Sequence, residues 1–543
     1  MLPLSQLDVL VIDCQATAAA PGGRLLEIGW ARTTMTRARV RLIALPDGEH
    51  IPPAVARITG ISEAMARDGI DARFAWRELA GDAARLTPQP APTVIHFARF
   101  EQPFLRTLAG GEPPLDIVCT RDIARRLLPD LPRRSLRALA GYFGRAVGAL
   151  HRCAGHVEAT AFVWRELVRL LEDEGVATWS ALHAWLAAPI DSVKRVRRVW
   201  PMPREVRLSL PDRPGVYRML RTSGDVLYIG KAASLQYRVN SHFRKQHGVH
   251  ERTLEMLSQA RAISYEITPT PLEAALLETD EIKRHRPPYN IALTVDDRAL
   301  WFTSPDLSAR RPRPSPACPL GPFASAATLE QFGALARADR AALGSGRWGP
   351  DAATFNTGYE RLCATHRELS RIDLSAHARL LHLGDRLWRE GRRDRDVDED
   401  EAPTGTGRRA AAWTPERVQA SLEWLALRAA LARRRAMWLT RLIDVSVVWR
   451  EPASRGARLL VIENGELVLT AAVDADATPP IPPGCRRTVM ARREVFTVTH
   501  FDRLCVLTTE LKRLVAAGAP VALRFGVAPA LADSRLASAL GWV

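Results

Sequence analysis

The 543-residue chain predicts a multidomain α/β protein, and three observations carry that prediction. Its length exceeds what one hydrophobic core fills and implies three or four domains. Its composition, 47% hydrophobic and 25% charged, is that of globular domains. Apolar runs of strand length alternate with helical patterns over residues 1–186 and again over 209–300, whereas 301–543 reads as mostly helical with one small β-hairpin.

The balance of 76 Lys+Arg against 60 Asp+Glu gives a net charge of +16, which favours polyanionic partners, above all nucleic acid. Only five of the basic residues are Lys, so part of that excess is a coding bias. Residues 194–252 hold 14 Lys+Arg against 4 Asp+Glu, which is more than the bias explains. Seven scattered Cys with no C-x-x-C pair argue against a zinc ribbon, an iron–sulfur cluster or a disulfide framework, and fit a reducing compartment. The apolar start is interrupted by Asp8 and Asp13 and reads as a buried strand rather than a signal peptide. No apolar run reaches membrane-spanning length. The expectation is a soluble cytoplasmic protein.

In the first domain, 1–186, strands are expected at Leu7–Ile12, Leu25–Trp30, Val40–Leu45 and Thr93–His96, and helices at Ile123–Leu128, Ser135–Phe143 and Val157–Leu171. A basic linker, 187–208, follows, with Lys194, Arg195, Arg197 and Arg198 beside Pro201 and Pro203. The second domain is 209–300. Arg310-Arg311-Pro312-Arg313-Pro314 then excludes a regular helix or a central strand. A helical region, 301–390, leads into an acidic and Gly-rich disordered linker, 391–412. The last region, 413–543, reads as helix, hairpin, helix. Thr414 caps a long helix with Pro415 at its first position, Asn464-Gly465 turns a hairpin, and Leu504, Leu507, Leu511 and Leu514 line one helix face that Gly518 ends.

The most specific segment runs from Pro214 to Asn290. Two strands, Gly215–Arg221 and Val226–Gly230, joined at Thr222-Ser223-Gly224-Asp225, bring Tyr217 and Tyr228 nearly opposite one another. A phenol can relay or accept a proton from a nucleophilic water. Lys231 follows directly. Arg238, on the helix Leu235–Phe243, can clamp a phosphoryl oxygen. Thr270-Pro271-Leu272-Glu273 is a capping box with Pro at the first helical position, so Glu273 has a structural task. Glu278, about 140° further round that helix, is free of it. Leu272, Leu276 and Ile282 suggest a face that fixes this helix on the sheet. A lone Glu there suits Mg²⁺, which keeps several waters.

These residues resemble the GIY-YIG nuclease family, and within it the incision domain of the UvrC/Cho excision-repair type. The resemblance covers about 210–293 and includes Tyr228-Ile229-Gly230-Lys231, Arg238-Val239, Glu273-Ala274-Ala275-Leu276-Leu277-Glu278 and Arg286-Pro287-Pro288-Tyr289-Asn290. It implies that Tyr217 or Tyr228 activates water with help from Lys231, that Arg238 holds the phosphate, and that Asn290 orients the site. Glu278 would hold Mg²⁺ or Mn²⁺. DNA is the implied partner, with a UvrB-type damage-loading protein as a candidate second one.

Residues 7–172 resemble the DnaQ-like 3′–5′ exonucleases of the DEDDh class, whose fold is the RNase H-like α/β sheet. The matching stretches are Val9–Gln15, Arg24–Gly29, Ile58–Ile61, His96–Glu101 and the helix after His151. Asp13 and the general-base His151 are in place. Gln15 stands where the family has Glu, Glu101 where it has Asp, and His156 where it has its last Asp. Four carboxylates have become two, which compensate poorly for two divalent cations about 4 Å apart.

His242, His247 and His250 lack accompanying acids or thiols and read as phosphate-facing or surface residues. The basic run 194–198, with Arg244 and Lys245, is a candidate DNA track. The function expected is a structure- or damage-specific DNA endonuclease of nucleotide excision repair. The alternatives are a bifunctional nuclease with added 3′–5′ exonuclease activity of the polymerase III epsilon kind, and a non-catalytic DNA-binding scaffold.

Overall fold

The computed structural model describes residues 2–20, 22–148, 150–189, 199–244, 249–294, 299–324, 329, 350–367, 376–390, 413–452, 454 and 456–540. They form two compact units, Met1–Pro269 with His285–Ile291, and Thr270–Arg284 with Ala292–Val543.

The first unit opens on a five-stranded sheet of order β3-β2-β1-β4-β5. Its strands are β1 (Leu10–Ala16), β2 (Leu25–Arg32), β3 (Arg39–Leu42), β4 (Ala91–Ile95) and β5 (Leu115–Cys119). Between β3 and β4 lie α1 (Pro53–Thr59), α2 (Glu63–Arg67) and α3 (Ala72–Ala83), and α4 (Ala98–Ala109) separates β4 from β5. Four helices follow: α5 (Thr120–Leu127), α6 (Leu136–Tyr142), α7 (Cys153–Asp173) and α8 (Trp179–Ala187). β1 is antiparallel to β2 and parallel to β4. Its start is continuously apolar because both faces are covered. Leu10 and Ile12 pack with Trp30 and with Leu79 of α3, while Val11 on the other face meets Val157 of α7. This is the mixed α/β sheet expected of an RNase H-like fold.

Two details differ from the sequence reading. β1 starts three residues later than expected, because Leu4–Gln6 form a 3₁₀ turn, and it extends to Ala16. Asp13 and Gln15 therefore stand inside a laddered strand, opposite Gly29 and Glu27. β5 carried no clear signal, since its five residues include Asp116.

Residues 199–208 are packed rather than linking. Met202 is buried in the core of the next domain, Trp200 meets Phe243 edge-on at 5.5 Å, and α9 (Arg204–Leu208) follows. Residues 190–198, and so Lys194, Arg195, Arg197 and Arg198, lie outside the described residues, as do Lys245 and His247. The second sheet, of order β7-β6-β8, comprises β6 (Gly215–Leu220), β7 (Val226–Ala232) and β8 (Ala262–Ile267), with α10 (Leu235–Arg244) and α11 (Glu251–Gln259) between β7 and β8. The hairpin closes where the Arg221 N–H donates to the Asp225 carbonyl at 3.0 Å and Gly224 takes a φ of +86°, which glycine adopts without strain.

The second unit contains α12 (Pro271–His285). Segment 209–300 is thus divided between the units. The reason lies in packing: Leu272 and Leu276 are buried in one core with Leu439, Leu442, Val447, Leu460 and Leu507 of the C-terminal region. Charged pairs reinforce this seat. Arg458 Nε donates to Glu273 at 3.2 Å, Arg503 Nη2 reaches Asp280 at 2.8 Å, and Lys283 reaches Asp502 at 2.7 Å.

Beyond α12 the region has more strand than the sequence suggested. Segment 301–390 begins with a three-stranded sheet, β10-β9-β11, built from β9 (Trp301–Thr303), β10 (Arg310–Arg311) and β11 (Leu320–Phe323), with helices at Ala352–Thr365 and Ala376–Arg389 after it. Residues 391–412 lie outside the described residues. In 413–543 the long helix Pro415–Leu442 starts as expected, with Thr414 Oγ1 accepting from Arg417 N at 3.3 Å. The hairpin at Asn464-Gly465 is present, with both φ angles positive. It is part of a five-stranded antiparallel sheet, not an isolated ribbon. That sheet, β14-β13-β12-β15-β16, joins β12 (Val445–Trp449), β13 (Ala457–Glu463), β14 (Glu466–Val473), β15 (Val521–Arg524) and β16 (Leu531–Ala532). Leu504, Leu507, Leu511 and Leu514 form the buried face of the helix Val498–Ala516. No described helix is long and apolar enough to cross a membrane.

Leu276→Ala is expected to destabilise the second unit by about 2–5 kcal/mol, the usual cost of truncating a buried leucine. Urea denaturation followed by tryptophan fluorescence measures it.

Candidate active site

The β6–β7 register pairs Tyr217 with Gly230 and Met219 with Tyr228. The two tyrosines are therefore diagonal neighbours on one sheet face, with ring centroids 6.1 Å apart. Gly230 lies in the space both rings need: a Cβ there would be 2.6 Å from Tyr217 Oη and 2.8 Å from a Tyr228 ring carbon. A third ring completes the cluster. His242, on α10, is 6.0 Å from Tyr217 and 5.9 Å from Tyr228 between centroids. Its Nε2 makes a 2.8 Å hydrogen bond with Tyr217 Oη.

The helix α10 is placed by ordinary means. Ser234 Oγ accepts from Tyr237 N at its start, and Leu235, Val239 and Phe243 form its buried face. That leaves Arg238 and His242, four residues apart, on a common side. Burial, and then the Arg238 charge, push the His242 pKa down to about 4. The imidazole is accordingly neutral at pH 7, and its Nε2 shares a hydrogen bond with the Tyr217 hydroxyl. Reading His242 as a phosphate-facing or surface residue missed this role. The signal available was its four-residue spacing from Arg238.

Tyr217 is fully buried, whereas Tyr228 keeps part of its surface and Arg238 is exposed. Lys231 is half-buried and pairs with Val216, out of phase with Tyr228 and Gly230. Asn290 is buried, and both ends of its amide are engaged: Oδ1 accepts from Ile229 N at 3.0 Å and Nδ2 donates to Ile229 O at 2.9 Å. It fixes the backbone of β7 between Tyr228 and Gly230. Glu278 is on α12 in the second unit, on the helix held by Glu273, Asp280 and Lys283. Arg244 is exposed, its guanidinium 5.1 Å from the Tyr237 ring centroid.

Tyr289, beside Asn290, ties this sheet to the N-terminal domain. Its hydroxyl donates to Glu255 Oε1 at 2.7 Å and is also bonded by Gln259. Glu255 Oε2 accepts from Ser135 Oγ at 2.7 Å at the head of α6, and Arg137 stands 3.4 Å from Glu255 and over the Tyr289 ring. Burial, with Glu255, drives the Tyr289 hydroxyl well above its usual range, so it stays a donor.

In the N-terminal domain the structure gathers Asp13, Gln15, Glu101 and His156. Asp13 Oδ1 is 3.0 Å from His156 Nδ1, and Gln15 Nε2 donates to Asp13 Oδ2 at 3.4 Å. Burial works against a charge on His156, yet the hydrogen bond to Asp13 and its negative charge raise its pKa. Glu101 is buried, and desolvation followed by the Asp13 charge lifts its carboxyl well above the usual range. A raised-pKa imidazole now faces Asp13, and burial disfavours the ionised form of the second acid. His151 is apart from this group: it is exposed, with Nδ1 on the Ile58 carbonyl. Nearby, the buried Glu27 takes the α7 terminus, accepting from Cys153 N at 2.8 Å and Arg152 Nε at 2.7 Å. Among the described residues no group of three or more His, Cys, Asp or Glu could hold a metal ion.

Two stretches match protein-family descriptions: residues 10–161 an exonuclease family, and residues 213–291 the UvrC-like GIY-YIG domain. Together they set an exonuclease-like stretch ahead of a UvrC-like GIY-YIG stretch. The central segment is, more particularly, similar to the GIY-YIG domain of the UvrC type. Among similar proteins, one of Mycobacterium tuberculosis (strain CDC 1551 / Oshkosh), provisionally described as a bifunctional exonuclease/endonuclease, is 31% identical over 357 residues, 62% of this chain and 53% of that one. UvrABC system protein C of Psychrobacter sp. (strain PRwf-1) is 47% identical over 105 residues, 19% of this chain and 16% of that one. The chain thus spans about half the length of the first relative and less than a fifth of the second. The magnesium-bound N-terminal endonuclease domain of UvrC from Thermotoga maritima is 31% identical, covering 17% of this chain and all of that one, with a TM-score of 0.15.

Two outcomes follow. His242 is neutral in the fold down to about pH 4 but titrates near 6.5 when unfolded. Between those values the unfolded chain binds the extra proton, so stability falls as pH falls from about 6.5 to about 4. His242→Gln should remove that part of the decline, read as the difference in urea midpoint between pH 7.5 and pH 5. Gly230→Ala should separate the tyrosine rings at a cost of about 1–3 kcal/mol, visible as a lost near-ultraviolet circular dichroism signal.

Proposed function

We propose that the protein is a metal-dependent DNA endonuclease of the excision-repair type, making a single internal incision with its GIY-YIG domain. The observation that supports this most is the Tyr217–Tyr228–His242 cluster beside Arg238, with Asn290 holding the intervening strand. Water attacks phosphorus and the P–O bond to the leaving oxygen breaks. Tyr228, the phenol of the pair that keeps exposed surface, meets that water. The proton released by the attacking water is relayed through the phenol hydroxyls to the leaving oxygen, while His242, neutral at rest, holds Tyr217 in place through the Nε2–Oη hydrogen bond and gains no net proton. Arg238 binds a phosphoryl oxygen and stabilises its developing charge.

Glu278 is the proposed metal ligand. A single carboxylate ligand suits a hard cation that retains most of its water, Mg²⁺ or Mn²⁺. Such an ion supplies charge stabilisation to the leaving oxygen. Lys231 acts as an accessory cation. The exonuclease-like domain does not cut in this reading, because Gln15 and His156 stand in for two acids of the anionic cage that two divalent ions require, and burial disfavours ionised Glu101. A UvrB-type protein is the proposed loading partner.

The test is a labelled duplex with one bulky lesion, incubated with divalent metal, with and without a UvrB-type protein. Glu278→Ala should abolish internal incision and Tyr217→Phe should slow it by about 10²–10⁴-fold. EDTA should stop cutting and Mg²⁺ or Mn²⁺ restore it. A ladder of 3′-shortened products, lost in Asp13→Ala, would establish the bifunctional reading instead. No cutting of lesion-bearing or branched DNA with any divalent ion would leave a binding scaffold.

A further inference from the structure

On the side of α10 away from the tyrosine cluster, the described residues enclose an open groove of about 1170 Å³ between segment 199–208 and the helix. Helical spacing separates the two sides: Tyr237 and Arg244 lie seven residues apart on the groove side, and Arg238 and His242 lie about 100–140° further round. Tyr237 is 64% exposed, a large aromatic surface with no core to cover. Arg244 is within 5.1 Å of its ring centroid. Across the groove, Arg207 lies over Phe243 at 4.7 Å, Trp200 is half-buried, and Arg204 is exposed. Asn240 keeps the groove open at a fixed width: its Nδ2 donates to Arg207 O at 2.8 Å while its Oδ1 accepts from Arg207 Nη1 at 3.2 Å.

We propose that this groove binds single-stranded nucleic acid, with bases stacking on Tyr237 and Trp200 and phosphates meeting Arg204 and Arg244. Flat aromatic surface interleaved with guanidinium groups fits unpaired bases on a polyanionic backbone, and serves every sequence alike. A duplex keeps its base faces stacked inside and offers nothing to Tyr237. The inference rests on the nuclease reading for its biological sense: a strand in the groove would pass one helix-width, about 10 Å, from the tyrosine cluster. A local opening of the duplex, as at a lesion or branch, would supply such a strand.

The test uses the full chain in EDTA, so that binding is read without cutting. Fluorescence anisotropy follows a labelled 16-nucleotide oligothymidine and a blunt duplex of the same length. Tyr237→Ala should weaken oligothymidine binding about ten-fold or more, the range of one lost base stack, while Tyr237→Phe retains it. Arg204→Ala with Arg244→Ala should flatten the slope of log affinity against log salt by about 1.4, two contacts at about 0.7 each. Unchanged affinity in both Tyr237→Ala and the double variant, or tighter binding of the blunt duplex than of oligothymidine by wild type, would overturn the proposal. Failure of the cleavage assay with these binding losses intact would sink the nuclease reading and leave the groove standing.

Discussion

The first unit turns on one half-buried carboxylate. Glu255 accepts from Ser135 and from Tyr289 and stands beside Arg137, so one side chain joins α6 of the N-terminal domain, α11 and the end of the GIY-YIG segment. Charge-assisted hydrogen bonds of this kind are stronger than neutral ones when shielded from water. The junction has little slack, since a Cβ on Gly141 of α6 would fall 1.8 Å from the Gln259 amide. From Tyr289 the order passes to Asn290, then to Ile229, and so to Tyr228 and Gly230 on either side of it. The exonuclease-like domain can in this way serve as a foundation for the tyrosine cluster of its neighbour.

The local motifs were legible because their information is local. The hairpin at Gly224, the helix after Lys231, the tyrosine pair and the long helix opened by Thr414 depend on residues within one turn or one ladder step. What was not legible depends on distant partners. His242 finds Tyr217 across 25 positions, Glu255 finds Ser135 across 120, and Glu27 meets Arg152 across 125. Leu272 and Leu276 were correctly read as buried, but an apolar stripe says only that it is covered and not by what. The C-terminal sheet escaped notice for a related reason: the outer β14 is largely exposed, so its pattern lacks a clean apolar face.

The N-terminal site shows how a sequence substitution becomes an electrostatic state. Replacing an acid by His156 both removes a negative charge and places a raised-pKa imidazole on Asp13. Burial and the Asp13 charge then disfavour the ionised form of Glu101. Each change makes the pocket less anionic, which weakens its attraction for two dications that repel each other. The same chemistry makes it tolerant of a nearby phosphate, which a cluster of four carboxylates would push away.

The seating of α12 has a consequence for how the protein could be dissected. A fragment cut to the limits of the GIY-YIG match would contain Glu278 but strip Leu272 and Leu276 of their covering and leave Glu273 and Asp280 without Arg458 and Arg503. Such a piece would lose the C-terminal side chains packed on those two leucines and both ion pairs. The evolutionary unit recognised by sequence and the physical unit that can stand alone do not share a boundary here.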